Sequence, residues 1–372
     1  MRIDSLELES FRNYHHQELT FDPRCNVIFG ENAQGKTNLL EALVYLSCGK
    51  SPRARTDKEM IRFDAPSARI SAGVFARERE YRVQVDLFRD RRRKMSVNKV
   101  PAKNSAELSQ VYHTVFFCPE DLFLIREGAA ARRKFMDTAL CQLRPRYAAA
   151  LAEYNRTYEH KTRILRDSEE RPDLLAALPD FNEQMVRYGA VLIHYRHQFA
   201  ARLNEYAALH HRECSGGKEE LEITYKTVSS VTDPSAEISV ITERLRQHME
   251  SHQMAERASR LCLSGPHKDD LLVSIDGRDA KQYASQGQTR TAALALKLAE
   301  REIYKNVDGE YPILLLDDVL SELDQKRQEF VLNRIAGGQV FITCCEDDRL
   351  PELLGGKVIH IKNGTVLESR KG

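Results

Sequence analysis

Long apolar runs are missing from this sequence of 372 residues, and their absence excludes one class of protein. No stretch approaches the roughly 18 consecutive apolar residues that a membrane-spanning helix needs. The opening residues, Met1-Arg2-Ile3-Asp4, also lack the features of a signal peptide. We therefore expect a protein that makes no membrane contact and works in the cytoplasm.

Paired cysteine motifs and an excess of charge of one sign are missing as well. The eight cysteines include no Cys-x-x-Cys pair, which favours reduced thiols over disulfides or a zinc site. The net charge is only +1, so any contact with nucleic acid must come from local basic patches. The chain is 42% hydrophobic and 30% charged, which is typical of a globular protein with two domains or with one domain and a large insertion.

A glycine-containing segment near the N-terminus has the composition of a phosphate-binding loop. Gly30 and Gly35 permit tight turns that bring backbone N–H groups close to phosphate oxygens. Lys36 supplies a positive charge for the terminal phosphates, and Thr37 supplies a hydroxyl ligand for Mg²⁺. Residues 26–29 are predicted to form a strand before the loop, and residues 37–46 a helix whose N-terminus points at the phosphates. The predicted ATP-binding residues of the loop are Gly30, Glu31, Asn32, Ala33, Gln34, Gly35, Lys36 and Thr37.

Two carboxylates far along the chain complement this loop. Residues 313–316 are apolar and are predicted to form a central strand that ends at Asp317. Asp317 is placed to hold Mg²⁺ together with Thr37, directly or through water. Asp318 could orient or deprotonate an attacking water, so Asp318 and Lys36 are the predicted catalytic residues. Related ATPases mostly carry Glu at the second position, and the shorter Asp is compatible with slow hydrolysis.

A third element precedes the acidic strand by about 30 residues. Ser285, Gln286, Gly287 and Gln288 open a predicted helix over residues 291–304, and a helix N-terminus of this kind is an anion site. The position resembles the signature motif of ATP-binding cassette ATPases, in which one subunit closes over the γ-phosphate held by the other. Ser321 and Asp324 then stand where that superfamily has its dimer-contacting D-loop. Cys344-Cys345-Glu346 follows a predicted strand at 340–343, so a histidine switch is not supported.

The regions between these motifs change character along the chain. Residues 1–115 show short alternating strands, with a clear example at 81–87, whereas residues 181–211 repeat apolar side chains at the spacing of a paired helix about 45 Å long. A strand near 221–225 and a helix over 236–258 are also predicted, followed by a hairpin at Asp276-Gly277. We therefore expect an α/β ATP-binding cassette-type P-loop ATPase core, formed by residues 1–120 and 260–372. A mostly helical arm over residues 121–259 is expected to interrupt this core.

The motifs in combination resemble the RecF family of bacterial recombination mediator ATPases. The resemblance rests on 11–14, 30–38, 115–122, 132–137, 265–270, 285–288 and 314–324, and covers essentially the whole chain. It adds Arg12 and Asn38 to the expected ATP-binding residues. Thr289 and Cys344-Cys345 depart from residues that relatives often carry. In addition, no Gln stands at 115–122 to match the magnesium-binding Gln of transporter cassettes.

The resemblance implies ATP and Mg²⁺ as cofactors and a weak DNA-dependent ATPase activity. It further implies a homodimer that forms with ATP on single-stranded, double-stranded or gapped DNA, and that works with RecR and RecO to load RecA, with a link to the SOS response. The residue chemistry predicts candidate DNA contacts at two places. One is a basic hairpin tip and the other lies on the arm, and together they comprise Arg89, Arg91, Arg92, Arg93, Lys94, Arg132 and Arg133.

Two other functions remain open at this point. A nucleotide-binding subunit of a transporter would need the insertion to dock a membrane partner, and the signature and the missing histidine argue against it. A P-loop kinase for a small molecule would have no use for a signature motif between the two halves of the site. His267 and Lys268 beside Asp269 and Asp270 could suggest a metal site, but a structural role is favoured because a third ligand is missing.

Overall fold

The computed structural model of the chain describes residues 1–345 and 355–371. The chain forms two compact units. The first comprises Met1–Leu122 together with Lys297–Gly372, and the second comprises Phe123–Leu296. Over the described ranges, no helix is both long and apolar enough to cross a membrane.

The elements follow each other in an order that mixes both types of secondary structure. In chain order the strands are β1 Arg2–Phe11, β2 Tyr14–Thr20, β3 Cys25–Phe29, β4 Ser67–Ala76, β5 Arg79–Phe88, β6 Lys94–Val97, β7 Val100–Pro101, β8 Thr114–Phe117, β9 Leu221–Lys226, β10 Asp270–Ile275, β11 Arg278–Asp279, β12 Ile313–Asp317, β13 Val340–Cys344, β14 Lys357–Lys362 and β15 Thr365–Lys371. The α-helices are α1 Lys36–Cys48, α2 Ser105–Ser109, α3 Ala129–Leu143, α4 Pro145–Asp167, α5 Leu178–Ser215, α6 Ile238–Ser259, α7 Ala280–Tyr283, α8 Gln286–Asp308 and α9 Gln325–Arg334.

One sheet of the first unit is antiparallel, in the order β2-β1-β4-β5-β6-β7. Its strands alternate as predicted, because Val83, Val85 and Leu87 on β5 are fully buried while the residues between them are partly exposed. Val85 lies opposite Ile70 of β4, so these side chains meet on the buried face.

The other sheet of the first unit has the order β15-β14-β3-β13-β12-β8 and is parallel except for β15. All five residues of β12 are buried, as predicted for a central strand that is covered on both faces. Parallel strands end at the same edge of a sheet, so the loop after β3 and the ends of β12 and β13 come together there. The register pairs Asp317 with Thr343 and Thr343 with Ile28.

Helix α1 belongs to the shared core of these two sheets. Leu39, Leu40 and Leu43 are fully buried, and the helix contacts strands of both sheets. The helix is buried on nearly all sides, including Tyr45. Each buried leucine contributes about 2 kcal/mol to folding, so this core anchors the start of the helix, where the loop ends.

The second unit is built around the long helix α5, which packs against α4 and α6. The predicted helices over 181–211 and 236–258 are confirmed, although α5 is longer than expected, with 38 residues. The predicted hairpin at Asp276-Gly277 is confirmed between β10 and β11. Strand β10 also pairs with β9, which explains why residues 260–296 belong to this unit rather than to the first, where the sequence analysis placed them.

A buried polar network lies inside the second unit. Arg196 of α5 is 3% exposed and donates to both carboxylate oxygens of Asp137. It also donates to Asp269 Oδ2 at 3.0 Å. Tyr225 and Thr227 also donate to the Asp269 carboxylate. The paired-helix pattern did not indicate an arginine in this seam. The network satisfies a buried carboxylate that would otherwise be costly to desolvate.

His267 is likewise held by protein groups. One ring nitrogen, Nδ1, lies 2.7 Å from the Tyr154 hydroxyl, and the other, Nε2, lies 3.1 Å from the Cys262 carbonyl oxygen. Burial lowers the pKa of His267 to about 4. These contacts give the histidine a structural role, in line with the interpretation that the sequence favoured.

Candidate nucleotide-binding site

The loop between β3 and α1 has backbone angles that require glycine at two positions. Gly30 and Gly35 have φ values of 152° and 121°, in the region that side chains rarely adopt. A Cβ on Gly30 would collide with the Ile361 carbonyl oxygen, and one on Gly35 would come within 2.8 Å of the Asn13 side chain. The loop is therefore packed tightly against its surroundings, and both glycines are needed for its shape.

Neighbouring turns brace the tip of this loop at Gln34. The Asn13 side chain donates to the Gln34 carbonyl oxygen at 2.8 Å, and Gly364 N–H donates to the same oxygen at 2.9 Å. Asn363 N–H donates to the Gln34 side chain at 2.6 Å, and the Tyr14 hydroxyl donates to the Gly35 carbonyl at 2.9 Å. These contacts tie the loop to the turns at 13–14 and 363–364, and such preorganisation lowers the cost of ordering a binding loop. No local sequence pattern indicates these contacts, because the turns lie far from the loop along the chain.

Lys36 begins helix α1 and is 4% exposed. Its ammonium donates to the Gly30 and Glu31 carbonyl oxygens at 2.5 and 3.2 Å. Backbone donors at a helix N-terminus together with a buried ammonium form a site suited to a polyphosphate. The predicted role of Lys36 fits this geometry.

Asp317 connects the acidic strand to the loop. Its Oδ1 accepts hydrogen bonds from the Thr37 hydroxyl at 3.0 Å and from the Thr343 hydroxyl at 2.8 Å. Burial raises the pKa of the Asp317 carboxyl above its usual range, whereas the hydroxyls of Thr343 and Thr37 act in the opposite direction. A hydroxyl and a carboxylate at this distance form an oxygen-only pair of the kind that Mg²⁺ prefers.

Asp318, the next residue, stands in an unusual backbone conformation. Its φ is 51°, and its N–H donates to the Thr343 hydroxyl at 2.8 Å. Thr343 therefore joins the two carboxylate residues, a role that the pattern at 340–343, which predicts only a core strand, does not indicate. The Ser321 hydroxyl of the predicted D-loop donates to the Asp318 carbonyl at 2.6 Å, and Asp324 caps α9.

Cys345 occupies the expected switch position beside these groups. Its Sγ lies 3.0 Å from Asn32 Oδ1, 3.6 Å from Lys36 Nζ and 3.8 Å from Asp318 Oδ1. The thiol thus contacts both halves of the site. Glu346, the last residue of the predicted switch segment, lies outside the described residues.

The signature residues open helix α8 within the second unit. The Ser285 hydroxyl accepts Gln288 N–H at 3.2 Å, and the Gln288 side chain accepts Ser285 N–H at 2.8 Å. This reciprocal pair is a capping box, which satisfies two of the backbone donors that a helix start leaves without partners. Gln286 and Gly287 lie in the first turn.

Comparisons with known proteins identify a family that spans nearly the whole chain. The family described as RecF/RecN/SMC N terminal domain matches residues 2–363. The DNA replication and repair protein RecF of Agathobacter rectalis is 40% identical over 98% of this chain and 99% of that protein. The chain belongs to the RecF family.

Further similarities support the fold. The RecF of Bacillus subtilis is 38% identical over 99% of this chain and 100% of that protein. A solved structure described as the recombination mediator protein RecF with ATP, in the RecFOR pathway, superposes with a TM-score of 0.89 at 33% identity, covering 100% of this chain and 97% of that one. An Smc head domain from Pyrococcus furiosus superposes with a TM-score of 0.56 at 15% identity, covering 100% of this chain and 96% of that one, and supports the fold alone. The predicted fold class is confirmed.

Two residues that the RecF resemblance added are engaged with neighbouring side chains. The Arg12 guanidinium donates to both oxygens of the buried Glu41 carboxylate at 2.8 and 2.7 Å, and to the Glu59 carbonyl at 2.9 Å. Asn38 donates to the Asn13 side chain at 2.9 Å. An ATP contact by Arg12 or Asn38 stays a prediction.

The basic hairpin tip divides into anchored and exposed cations. Arg89 donates to main-chain carbonyls, including Arg62 O at 2.8 Å. Arg93 donates to the Tyr45 hydroxyl at 2.6 Å and to the Gly49 carbonyl at 2.7 Å. The anchored pair therefore fixes the hairpin, whereas Arg91, Arg92 and Lys94 are exposed.

The arm candidates also differ from each other. Arg132 is 6% exposed and donates two hydrogen bonds of 2.8 Å to the Asp270 carboxylate, so its positive charge is paired inside the second unit. Arg133 donates to the Asp269 carbonyl at 2.6 Å while remaining partly exposed. The buried pairing with Asp270 gives Arg132 a structural role and leaves its guanidinium inaccessible to DNA.

Proposed function

We propose that this RecF-family protein is an ATP-dependent DNA-binding ATPase of recombinational repair, as the names of its relatives suggest for them. The observation that carries the proposal is the 3.0 Å contact between the Thr37 hydroxyl and Asp317, beside the buried ammonium of Lys36. This pair joins the two halves of a nucleotide site across about 280 residues of chain.

Each residue of the site has a distinct task in this proposal. Lys36 and the N–H groups of the loop bind the phosphates, while Thr37 and Asp317 hold Mg²⁺ through oxygen. When bound, Mg²⁺ neutralises the charge of the phosphates. Asp318 orients or deprotonates the attacking water. The Asp318 side chain is one carbon shorter than that of Glu and reaches less far towards the attacking water, so we expect slow hydrolysis.

The second half of the ATP site would come from another copy of the chain. In this proposal Ser285 and Gly287 of the partner close over the terminal phosphate, and the D-loop residues Ser321 and Asp324 contact the partner. The capping box supports this idea, because it presents a helix N-terminus that favours an anion. ATP would then act first as a dimerisation signal.

DNA would be bound by local positive charge. The exposed cations of the hairpin tip, Arg91, Arg92 and Lys94, together with Arg133, are the remaining candidates, and each would neutralise a phosphate. We propose binding to single-stranded, double-stranded and gapped DNA. By family membership we also propose cooperation with RecR and RecO in loading RecA and a part in the SOS response.

The central experiment is sedimentation with and without ATP and Mg²⁺, in the presence of gapped or blunt duplex DNA. We expect ATP-dependent dimers that gapped DNA promotes. Lys36→Ala should abolish ATP binding, whereas Ser285→Arg should leave ATP binding intact and block dimerisation. Normal dimerisation of Ser285→Arg with ATP would contradict the composite site, and a wild-type chain that responds to neither ATP nor DNA would refute the proposed function.

Full-length similarity to RecF proteins outweighs the two alternatives. The matches cover nearly the whole chain, including the second unit, which a transporter subunit would have to use for a membrane partner. No specific observation favours the transporter or the small-molecule kinase, so neither is proposed.

A further inference from the structure

The capping box at the start of α8 depends on a side chain outside the signature motif. Gln288 Nε2 donates to Glu219 Oε1 at 3.1 Å, while Gln288 Oε1 accepts Ser285 N–H at 2.8 Å. Glu219 lies in the segment between α5 and β9, about 70 residues before Gln288. A residue distant in sequence thus reaches the signature directly.

Glu219 is in turn held by a buried histidine. Its other oxygen, Oε2, lies 2.9 Å from His211 Nε2, and the His211 side chain is 0% exposed while that of Glu219 is 23% exposed. The chain reverses direction between the two residues at Gly216 and Gly217, whose φ values are 72° and 76°. His211 on α5 therefore fixes where the Glu219 carboxylate stands.

The chemistry of the amide gives this contact a consequence. An amide side chain can rotate by half a turn and exchange its oxygen with its nitrogen, and the flipped form of Gln288 would set NH₂ against Ser285 N–H. An ionised carboxylate only accepts hydrogen bonds, so Glu219 favours the orientation with NH₂ towards itself. That orientation leaves the Gln288 oxygen for Ser285 N–H.

We propose that Glu219, held by His211, is a positioning residue for the signature motif. It orients Gln288, and Gln288 holds the backbone of Ser285 in the conformation that presents its hydroxyl and the helix N-terminus to a phosphate. This inference rests on the proposed composite ATP site. The loop after α5, which contains Glu219, thus takes part in ATP-dependent dimerisation although it lies outside the signature motif.

A charge exchange between the two side chains tests the idea. Gln288→Glu sets two carboxylates about 3 Å apart, so we expect ATP-dependent dimerisation to weaken at least about 10-fold. Adding Glu219→Gln to Gln288→Glu restores one amide and one carboxylate with their positions exchanged, and should bring the dimer dissociation constant back to within about 3-fold of the wild type. Glu220→Gln, which removes the same charge from the exposed neighbouring residue, is the matched control.

Two measurements on the full-length variants separate the possible failures. Amide hydrogen exchange in the monomer should accelerate at residues 285–288 in Gln288→Glu and recover in the double variant. Sedimentation with ATP reports the dimer, and the control Glu220→Gln should leave both the dimer and fluorescent ATP binding to the monomer unchanged.

The outcomes have distinct meanings. Unchanged exchange in Gln288→Glu, or a double variant that recovers neither exchange nor dimerisation, would overturn the positioning role. The same conclusion would follow if exchange changed while dimerisation did not. If the wild-type chain failed to dimerise with ATP, the proposed function would fail, whereas the exchange measurement would still judge the contact between Glu219 and Gln288.

Discussion

Replacing Thr343 by valine removes one hydroxyl that serves both carboxylate residues of the site. The hydroxyl donates to Asp317 at 2.8 Å and accepts the Asp318 N–H at 2.8 Å, and the side chain is 1% exposed. Valine has nearly the same shape, so the change tests the hydrogen bonds rather than the packing. After the change, the Asp318 N–H loses its acceptor and Asp317 keeps Thr37 as a donor.

The cost follows from the two bonds. A bond to a charged group contributes about 1.5–3 kcal/mol, and a buried N–H without a partner costs about 1–3 kcal/mol. Because neighbouring terms do not add fully, we expect a loss of about 2–4 kcal/mol in unfolding free energy. For a unit of roughly 200 residues, a loss of 3 kcal/mol lowers the melting temperature by about 6–12 °C.

Activity should respond through the backbone of Asp318. Its φ of 51° is strained for a residue with a side chain, by about 1–2 kcal/mol, and the bond to Thr343 helps to maintain it. Without that bond the Asp318 carboxylate should shift, so we expect hydrolysis to slow by about 10-fold, equivalent to 1.4 kcal/mol. ATP affinity should change less than about 3-fold, because Lys36 and the loop are untouched.

The assay is thermal unfolding followed by circular dichroism, since the chain has no tryptophan for fluorescence. Steady-state ATP hydrolysis is measured on the same samples. Thr343→Ser keeps the hydroxyl and loses one methyl group, so it should cost only about 1 kcal/mol and retain hydrolysis. The reasoning is refuted if valine melts within about 2 °C of the wild type, or if serine is as inactive as valine.

Four further predictions concern single side chains. N-ethylmaleimide should alkylate the exposed Cys345 and block ATP binding, with protection by ATP; equal inactivation of Cys345→Ser would contradict this. Arg132→Ala should lower the unfolding free energy by about 2–4 kcal/mol because it leaves Asp270 unpaired. Arg92→Ala should instead leave stability unchanged and reduce the slope of log K for DNA binding against log salt concentration by about one unit. A stability loss in Arg92→Ala together with an unchanged stability of Arg132→Ala would exclude these roles. Burial lowers the pKa of His267 to about 4 in the folded state, compared with about 6.5 in the unfolded state. Between these two pH values only the unfolded state binds the proton, so the free energy of unfolding should fall by up to about 3 kcal/mol as the pH drops from 6.5 towards 4. His267→Gln should lack this part of the pH dependence in urea unfolding, and an unchanged profile would argue against a buried neutral histidine.

Sequence patterns predicted those elements whose signals are local. The strand and helix on either side of the loop at 30–37, the apolar strand before Asp317 and the alternating strand over 81–87 each depend on a few adjacent residues, and the structure contains all of them. The seam of α5 was predicted as apolar, yet it contains Arg196, because the partners of that arginine come from other elements. Burial of a charged side chain can be understood only when its partners are known.

Sequence alone determined which chemical groups are available for a nucleotide site. The glycines that the loop conformation requires and the lysine and threonine at the helix N-terminus all lie within residues 30–37, so their pattern is local. Tertiary structure decided how these groups combine. The register of β12 and β13 placed Thr343 against Asp317, pairing with Asp270 gave Arg132 a structural role, and the turn after α5 placed Glu219 against Gln288. Such contacts join residues far apart in the chain, and they depend on strand pairing and burial across a whole unit, which no local pattern encodes.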